Sequence, residues 1–337
     1  MAETAVEEDN LLIPLIDFSA FLSGSSSSKR TAAHALTTGF QRAGFIYIKN
    51  HGIPPATIAR AFQHSAAFFR RPQAQKDVLS WTTPRSNRGY VAHGREKVSD
   101  LRDKADVEAL RAAMPDLKES MEIGRDDKAE FPNRWPDAFD EEGRVFRDVM
   151  REFFDTCKEL HVQVMRAIAL GLGLEDETFF DGYCDAGDNT LRLLHYPEVE
   201  KGALGAKGGG SIRAGAHTDY GSITLLFQDD RGGLQVLSPN GNFVDATPIA
   251  DTIVVNAGDL LARWSNDSIK STKHRVVEPP VPTESGVHPA RYSIAYFCNP
   301  NFDRFIDAIP GTYGEGGKKY EGINSGEYLV QRLTATY

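Results

Sequence analysis

Apolar residues recur every three or four positions through residues 145–170, and polar residues occupy most of the positions between them. The apolar set comprises Phe146, Val149, Met150, Phe153, Cys157, Leu160, Val164 and Ile168. Such spacing places the whole set on one face of a helix. The sequence therefore predicts one long amphipathic helix, which Gly171 and Gly173 follow.

The residues before this helix indicate a mixture of helix and strand. A helix is predicted from about Lys29 to Ala43, where Gly44 ends it. The run FIYIKN at 45–50 predicts a strand, and a second helix follows from Ala56 to Arg70 before Pro72. The first third of the chain is therefore expected to be α/β.

After about residue 186 the pattern changes to short apolar runs separated by Gly, Pro, Asn and Asp. The runs are TLRLLHY, SITLLF, LQVL, TIVVN, HRVV and ARYSIAYF. Many short strands without alternating helices are typical of an antiparallel sandwich or barrel. The overall expectation is a mainly β fold with α-helices.

These patterns divide the chain into consecutive segments. We expect a disordered acidic tail at 1–12, an N-terminal α/β cap region at 13–135, a long supporting helix with its linker at 136–185, a β-rich core at 186–300 and a C-terminal helical segment at 301–337. The glycine-rich stretch 202–211 lacks the spacing of a phosphate-binding loop, so it is expected to be a surface loop.

Composition narrows the possible partners and the compartment. With 337 residues and 41% hydrophobic content the chain can bury a sizeable core, and its net charge of −9 disfavours nucleic acid or an anionic membrane as a partner. Three cysteines outside any CxxC spacing suit a reducing compartment. Without an evident leader or an apolar run of about 18 residues, we expect a cytoplasmic protein. No feature indicates an obligate protein partner.

The stretch AGAHTDYGSITLLF contains a histidine and an aspartate two positions apart, and both are common metal ligands. His217 and Asp219 would project from the same face at the head of the strand that follows. Among the nine histidines, only His217 has an acidic residue at this spacing. Two imidazoles and a carboxylate on one face form the ligand set of a non-haem ferrous centre. The pair is therefore half of a candidate metal site.

His274, in the run HRVV, is the preferred third ligand, and His51 in a turn is a weaker rival. A strand histidine that only hydrogen-bonds the backbone is the structural alternative for His274. Further along, Arg291 and Ser293 share one strand face and offer a guanidinium and a hydroxyl to a carboxylate. A second Arg-x-Ser, Arg263 to Ser265, ranks below this pair because its surroundings are typical of a loop.

The motifs HTD, HR and RYS, in this order and spacing, resemble the iron and 2-oxoglutarate-dependent oxygenases of the isopenicillin N synthase-like group. The N-terminal stretches IPLIDFS and GFQRAGFIYIKNHGIP are also similar to that family. The resemblance implies a double-stranded β-helix, or jelly-roll, core at 186–300 with the long helix packed behind it. It further implies that His217, Asp219 and His274 are the catalytic residues that hold Fe(II).

The same resemblance implies the co-substrates. Arg291 and Ser293 would bind the distal carboxylate of 2-oxoglutarate, and Tyr196 matches a family position that also contacts this molecule. O₂ would be the other co-substrate and ascorbate a stimulant, while succinate and CO₂ would be released.

Within this group the chain resembles the fungal thymine 7-hydroxylases from about Ile13 to Tyr337, through stretches such as GDNTLRLLHYP, NAGDLLARWSND and KYEGINSGEYLVQRL. The likeness implies hydroxylation of the 5-methyl group of free thymine in pyrimidine salvage. The product, 5-hydroxymethyluracil, would be oxidised further to 5-formyluracil and 5-carboxyuracil. Thymine and its oxidised forms would be the small-molecule partners.

A flat, neutral base needs an aromatic face and polar groups matched to its edge. Strand parity places Phe297 on the face of Arg291, and it places Arg192 with Tyr196. Asn87 has the two-sided amide that could read a pyrimidine edge. Tyr220 is included by resemblance, since it reaches the pocket only if the chain bends after it.

Each of these residues also has a structural interpretation: an ion pair for Arg192, core packing for Phe297 and a turn for Asn87. Three alternative functions stay open as well. They are the same oxygenase chemistry on a fungal secondary metabolite, a non-catalytic ligand-binding or sensing protein, and zinc hydrolysis, which would leave Arg291 and Ser293 without a task.

Overall fold

The computed structural model describes residues 3–83, 86–94, 118–200, 212–278 and 286–336. Its strands are β1 Glu3–Glu8, β2 Leu11–Asp17, β3 Phe45–Lys49, β4 Gly89–Val91, β5 Glu119–Ile123, β6 Thr190–Tyr196, β7 Val199–Glu200, β8 Ile212–His217, β9 Ile223–Gln228, β10 Leu234–Leu237, β11 Phe243–Asp245, β12 Thr252–Ala257, β13 His274–Val277, β14 Val287–His288, β15 Arg291–Cys298, β16 Phe305–Ile306 and β17 Ile323–Asn324.

The helices of the same ranges are α1 Ser19–Leu22, α2 Ser26–Ala43, α3 Pro55–Phe69, α4 Gln73–Val78, α5 Glu141–Gly171, α6 Asp181–Cys184, α7 Asp259–Trp264 and α8 Ser325–Thr336, with a 3₁₀ turn at Pro136–Ala138. Within these ranges, none of the helices is long and apolar enough to cross a lipid bilayer. The prediction did not include α7, which lies in the stretch between TIVVN and HRVV.

Two sheets form the body of the molecule. The larger has nine strands in the order β1-β2-β3-β12-β9-β15-β6-β5-β4, and the smaller has four in the order β11-β10-β13-β8. Among the paired strands described, β2 and β3 alone run parallel. The mainly β prediction is confirmed. A cavity between the two sheets is lined by residues of both, such as Leu194 of β6 and Val276 of β13.

The long helix α5 covers the outer face of the larger sheet. All eight positions of the apolar stripe are buried, and the Phe153 ring lies 5.1 Å from that of Phe227 on β9. The helix begins four residues before the predicted start because Asp140 caps it, accepting a 2.7 Å hydrogen bond from the Gly143 amide. The same carboxylate pairs with the buried Arg71.

The acidic N-terminal segment is not a disordered tail. Residues 3–8 form β1, which pairs antiparallel with β2 through a turn at Asp9 and Asn10. Both turn residues have positive φ, at 49° and 61°, which Asp and Asn tolerate and which suits a tight hairpin. The prediction of disorder for 1–12 was therefore wrong for the described part, because the edge of β2 opposite β3 offers backbone groups to which even an acidic strand can bond.

The predicted segment boundaries do not separate the sheets. β3, from the N-terminal region, pairs with β12 of the core, and β5 pairs with β6. The C-terminal segment is helical only from Ser325, and before it β16 and β17 form a two-residue antiparallel pair. Strands of the N-terminal region therefore extend the core sheet. The glycine-rich stretch 202–211 lies outside the described residues.

Replacing Phe153 tests how much α5 supports the sheet. We expect Phe153→Ala to lower the free energy of unfolding by about 3–5 kcal/mol, since it removes a buried aromatic ring and leaves a cavity. Chemical denaturation followed by tryptophan fluorescence measures this change. Phe305→Ala is the control, because that ring is 63% exposed and its removal should change stability by no more than about 0.5 kcal/mol. Equal effects of the two substitutions would contradict the role assigned to α5.

Candidate metal centre and substrate pocket

The centre of the cavity contains two histidines from paired strands. His217 is the last residue of β8 and lies directly opposite His274, the first residue of β13. Their ring centroids are 4.3 Å apart. Asp219 follows β8 in the loop to β9. The sequence predicted that His217 and Asp219 stand at the head of the following strand, but His217 instead ends β8. The run IRAGAH was not recognised as a strand because it is rich in small residues.

The three side chains converge as metal ligands do. Nε2 of each histidine is 3.8 Å from Oδ1 of Asp219, and the ligand atoms all lie within 4.8 Å of one another. Each Nδ1 faces a backbone carbonyl, that of Gly215 at 2.8 Å and that of Thr272 at 3.2 Å. These contacts fix both rings with Nε2 directed inward. The donor set therefore fits Fe(II), with positions left for co-substrates.

Asp219 is held by two donors that the sequence analysis did not identify. Its Oδ2 accepts hydrogen bonds from Asn256 Nδ2 at 2.8 Å and from Thr224 Oγ1 at 2.5 Å. The two donors are cross-strand partners on β12 and β9. Oδ1 is left to face the imidazoles. Asn256, a polar residue within the apolar run TIVVNA, was the available signal for this support.

The protonation states suit metal binding. Burial, together with the neighbouring His274, lowers the pKa of His217 to about 3, so its imidazole is neutral. Burial acts to raise the pKa of Asp219, but the adjacent imidazoles and the donated hydrogen bonds hold it below its usual value. A neutral imidazole and an ionised carboxylate are the forms that coordinate a metal.

A tight bend follows the ligand pair. A Cβ atom at Gly221 would lie 2.2 Å from the Cys298 carbonyl oxygen, so only glycine fits there. The bend leaves Tyr220 in the cavity lining, where the Arg332 guanidinium of α8 stacks 4.6 Å from its ring centroid. Tyr220 thus lies in the pocket despite its parity.

Arg291 and Ser293 line the cavity from β15. The guanidinium of Arg291 donates to Ser293 Oγ at 3.2 Å, to Gln228 Oε1 at 3.1 Å and to the Gly232 carbonyl at 2.8 Å. It also lies 5.1 Å from the ring centroid of Tyr196, its cross-strand partner. The predicted Arg, Ser and Tyr therefore form one cluster, which suits a buried carboxylate.

The rival residues lie elsewhere. His51 is buried, and its Nδ1 accepts a hydrogen bond from the Ile53 amide outside the cavity. Arg263 belongs to α7 and donates to the Glu321 carbonyl on the outer side of the molecule, while Ser265 bonds to Ala262. Neither joins the described metal-ligand cluster or its cavity.

The cavity lining also contains the predicted substrate residues. Phe297 is one of them, and the guanidinium of Arg192 lies 5.1 Å from the ring centroid of Phe297. Arg192 also forms the ion pair that was its structural interpretation, because its Nε is 2.6 Å from Oε1 of the buried Glu122. Asn87 donates to Thr190 Oγ1 at 3.2 Å, and its Oδ1 is buried without a hydrogen-bond partner among the described residues.

Other lining residues were not predicted. Lys118, which is 6% exposed, comes from the segment before β5, and Leu329 and Leu333 come from α8. An ion pair of 3.2 Å between Arg332 of α8 and Asp259 of α7 holds α8 against α7. Asp259 also accepts a hydrogen bond from Thr218, between the two ligands of the HTD motif. A C-terminal helix shows no sign in sequence that it reaches an active site.

Comparison with known proteins places this geometry in a family. Residues 187–300 match the family model described as 2OG-Fe(II) oxygenase superfamily, and residues 13–138 match that of the non-haem dioxygenase in morphine synthesis N-terminal region. The 2-oxoglutarate-Fe(II) type oxidoreductase ppzD of Metarhizium rileyi is 37% identical over 96% of this chain and 90% of that protein. The chain belongs to the 2OG-Fe(II) oxygenase superfamily. It is a 2-oxoglutarate-dependent dioxygenase with the jelly-roll core that the resemblance implied.

Solved structures extend the comparison of this oxygenase. Full-length thymine 7-hydroxylase of Neurospora crassa in complex with alpha-KG and thymine is 60% identical, with a TM-score of 0.91 over 99% of this chain and 100% of that one. The complex of the same Neurospora crassa enzyme with alpha-KG and 5-formyluracil is 57% identical, with a TM-score of 0.90 over the whole of both chains. Fe(II), 2-oxoglutarate and O₂ are accordingly the cofactor and co-substrates of the oxygenase.

Removing the support of Asp219 should weaken metal binding. We expect Asn256→Ala to reduce affinity for Fe(II), or for Mn(II) as a redox-stable substitute, about 10- to 100-fold, because the carboxylate loses a partner that orients it. Metal titration under anaerobic conditions measures the effect. Asn240→Ala, at an exposed turn, is the control. Unchanged affinity in Asn256→Ala would show that Thr224 alone suffices.

Proposed function

We propose that this oxygenase hydroxylates the 5-methyl group of free thymine to 5-hydroxymethyluracil and continues through 5-formyluracil to 5-carboxyuracil. The observation that carries the proposal is the likeness to Neurospora crassa thymine 7-hydroxylase with thymine bound, at 60% identity over nearly the whole chain. The 5-formyluracil complex of that enzyme supports the later oxidation steps.

The cavity supports a small planar substrate. Its volume is about 120 Å³, and residues from several separate elements surround it. Phe297 offers an aromatic face, which a pyrimidine can stack against. Asn87 offers a buried amide oxygen without a partner among the described residues, and a ring N–H of thymine can supply the missing donor. Arg192 can donate to a ring carbonyl while its Nε stays paired with Glu122.

Different residues of the cavity lining would bind the metal, the co-substrate and the substrate. His217, Asp219 and His274 would hold the iron. Arg291, Ser293 and Tyr196 would bind 2-oxoglutarate on one side of it. The residues on the substrate side would be Asn87, Arg192, Tyr220 and Phe297. When bound, iron and 2-oxoglutarate supply the oxidising chemistry: one oxygen atom of O₂ enters the substrate C–H bond, the other enters succinate, and CO₂ is released. The apolar side chains of Leu329 and Leu333 exclude water from the outer end.

The setting of the reaction is also proposed. Cys157, Cys184 and Cys298 are buried free thiols, which suits the reducing cytoplasm. There the enzyme would serve pyrimidine salvage, and ascorbate would stimulate it by keeping the iron reduced.

The decisive experiment measures succinate from the purified protein with Fe(II), ascorbate, O₂ and 2-oxoglutarate, with and without thymine, and analyses the base by mass spectrometry. Thymine-dependent succinate and a product heavier by one oxygen atom are expected. His217→Ala should abolish both, whereas His34→Ala, at an exposed helix position, should not. Succinate that does not depend on thymine would overturn the substrate and favour another small molecule. No succinate from iron-loaded protein would favour a ligand-binding protein without turnover.

Phe297→Leu separates recognition of the base from that of the co-substrate. Loss of the stacking face should raise the KM for thymine about 2- to 10-fold, because an aromatic pair contributes about 0.5–1.5 kcal/mol beyond its area. The affinity for 2-oxoglutarate should not change. Steady-state kinetics with each substrate varied in turn gives both values. An equal loss for both substrates would indicate that the ring only packs the core.

A further inference from the structure

Arg213 is a buried guanidinium with no role in the site described above. It is 1% exposed, and its Nε and both Nη atoms lack any hydrogen-bond partner among the residues that the structure describes. An arginine is charged at all physiological pH values, and burial of an unpaired charge is strongly unfavourable. A ligand group that compensates the charge is therefore expected beside it.

Arg213 lies at an irregularity in the pairing of β8 with β13. Val276 of β13 pairs with Ala214, and the next residue, Val277, pairs with Ile212. Arg213 is thus the extra residue of a bulge, where the alternation of side chains between the two faces of the strand is interrupted. Ala214, its neighbour, lines the cavity.

The surroundings of Arg213 connect it with the residues assigned to 2-oxoglutarate, since the adjacent Ala214 belongs to the same buried cluster as Tyr196. Burial lowers the pKa of its guanidinium, and the positive charge of Arg291 lowers it further, while Tyr196 acts in the opposite direction. Arg291 and Tyr196 both line the cavity. The two guanidinium groups are therefore close enough to repel each other.

The nearby carboxylates do not neutralise Arg213 by direct contact. Asp229 accepts hydrogen bonds from the backbone amides of Tyr292 at 2.6 Å and Arg231 at 3.0 Å. Glu278 is paired with His288, 3.4 Å from its Nε2. Both act on the guanidinium only through longer-range attraction.

We propose that Arg213 is a second guanidinium for the distal carboxylate of 2-oxoglutarate and acts together with Arg291 and Ser293. A carboxylate has two oxygens and about four acceptor positions, so it can serve both arginines at once. Its negative charge would relieve the repulsion between the two cations. The proposal rests on 2-oxoglutarate as co-substrate and is independent of thymine as substrate.

The test compares two 2-oxo acids in a binding experiment without turnover. Fe(II)-loaded protein is titrated anaerobically with 2-oxoglutarate, or with 2-oxopentanoate, which has a methyl group in place of the distal carboxylate. The metal-to-ligand charge-transfer absorbance reports both affinities. Arg213→Met should weaken 2-oxoglutarate about 10- to 100-fold, as expected for hydrogen bonds to a charged group, and should leave 2-oxopentanoate unchanged.

Controls distinguish charge recognition from structure. Arg275→Met removes a guanidinium from the neighbouring strand, where it is hydrogen-bonded to Gln235, and should affect neither acid. Arg213→Lys keeps the charge and should show a smaller, equally selective loss; it also serves as the test if the methionine variant does not fold. Normal 2-oxoglutarate affinity in the folded variants, or equal weakening of both acids, would overturn the proposal.

Discussion

The pairing of β8 with β13 is the constraint on which the active site depends. It sets His217 opposite His274 across two antiparallel strands, and the short loop after β8 then brings Asp219 to both rings. A shift of one residue in this pairing would turn one imidazole out of the cavity. The larger sheet fixes Asp219 through Asn256 and Thr224. The metal centre therefore requires both sheets in their present relation.

The electrostatic environment is arranged in two opposing zones. The metal-ligand cluster consists of two imidazoles and one carboxylate, whereas Arg291 and Arg213 provide positive charge on the 2-oxoglutarate side. A dianionic 2-oxo acid fits this order, since its chelating end would meet a metal held by the ligands and its distal end would meet the cations. Low solvent exposure strengthens both interactions relative to water.

Strand parity and motif spacing were sufficient to predict much of this site. The apolar stripe from Phe146 to Ile168 marked the buried face of α5, and the parity of β15 placed Arg291, Ser293 and Phe297 on one face. The signals that failed involve pairing between distant segments. Asn256 supports Asp219 only because β12 lies beside β9, and Leu333 reaches the cavity only because α8 is held by Asp259. Arg213 is buried at a bulge in β8, which its sequence does not reveal.

The separation of the ligand-bearing strands from the substrate-facing segments has a consequence for evolution. The metal ligands come from β8, β13 and the loop after β8, whereas Asn87, Arg192 and Leu329 approach the cavity from a loop, an inner strand of the larger sheet and the C-terminal helix. Substitutions in the latter elements can alter which molecule is accepted without disturbing the iron chemistry. Such modularity would let one scaffold diversify into enzymes for unrelated substrates through changes at the mouth of the barrel alone.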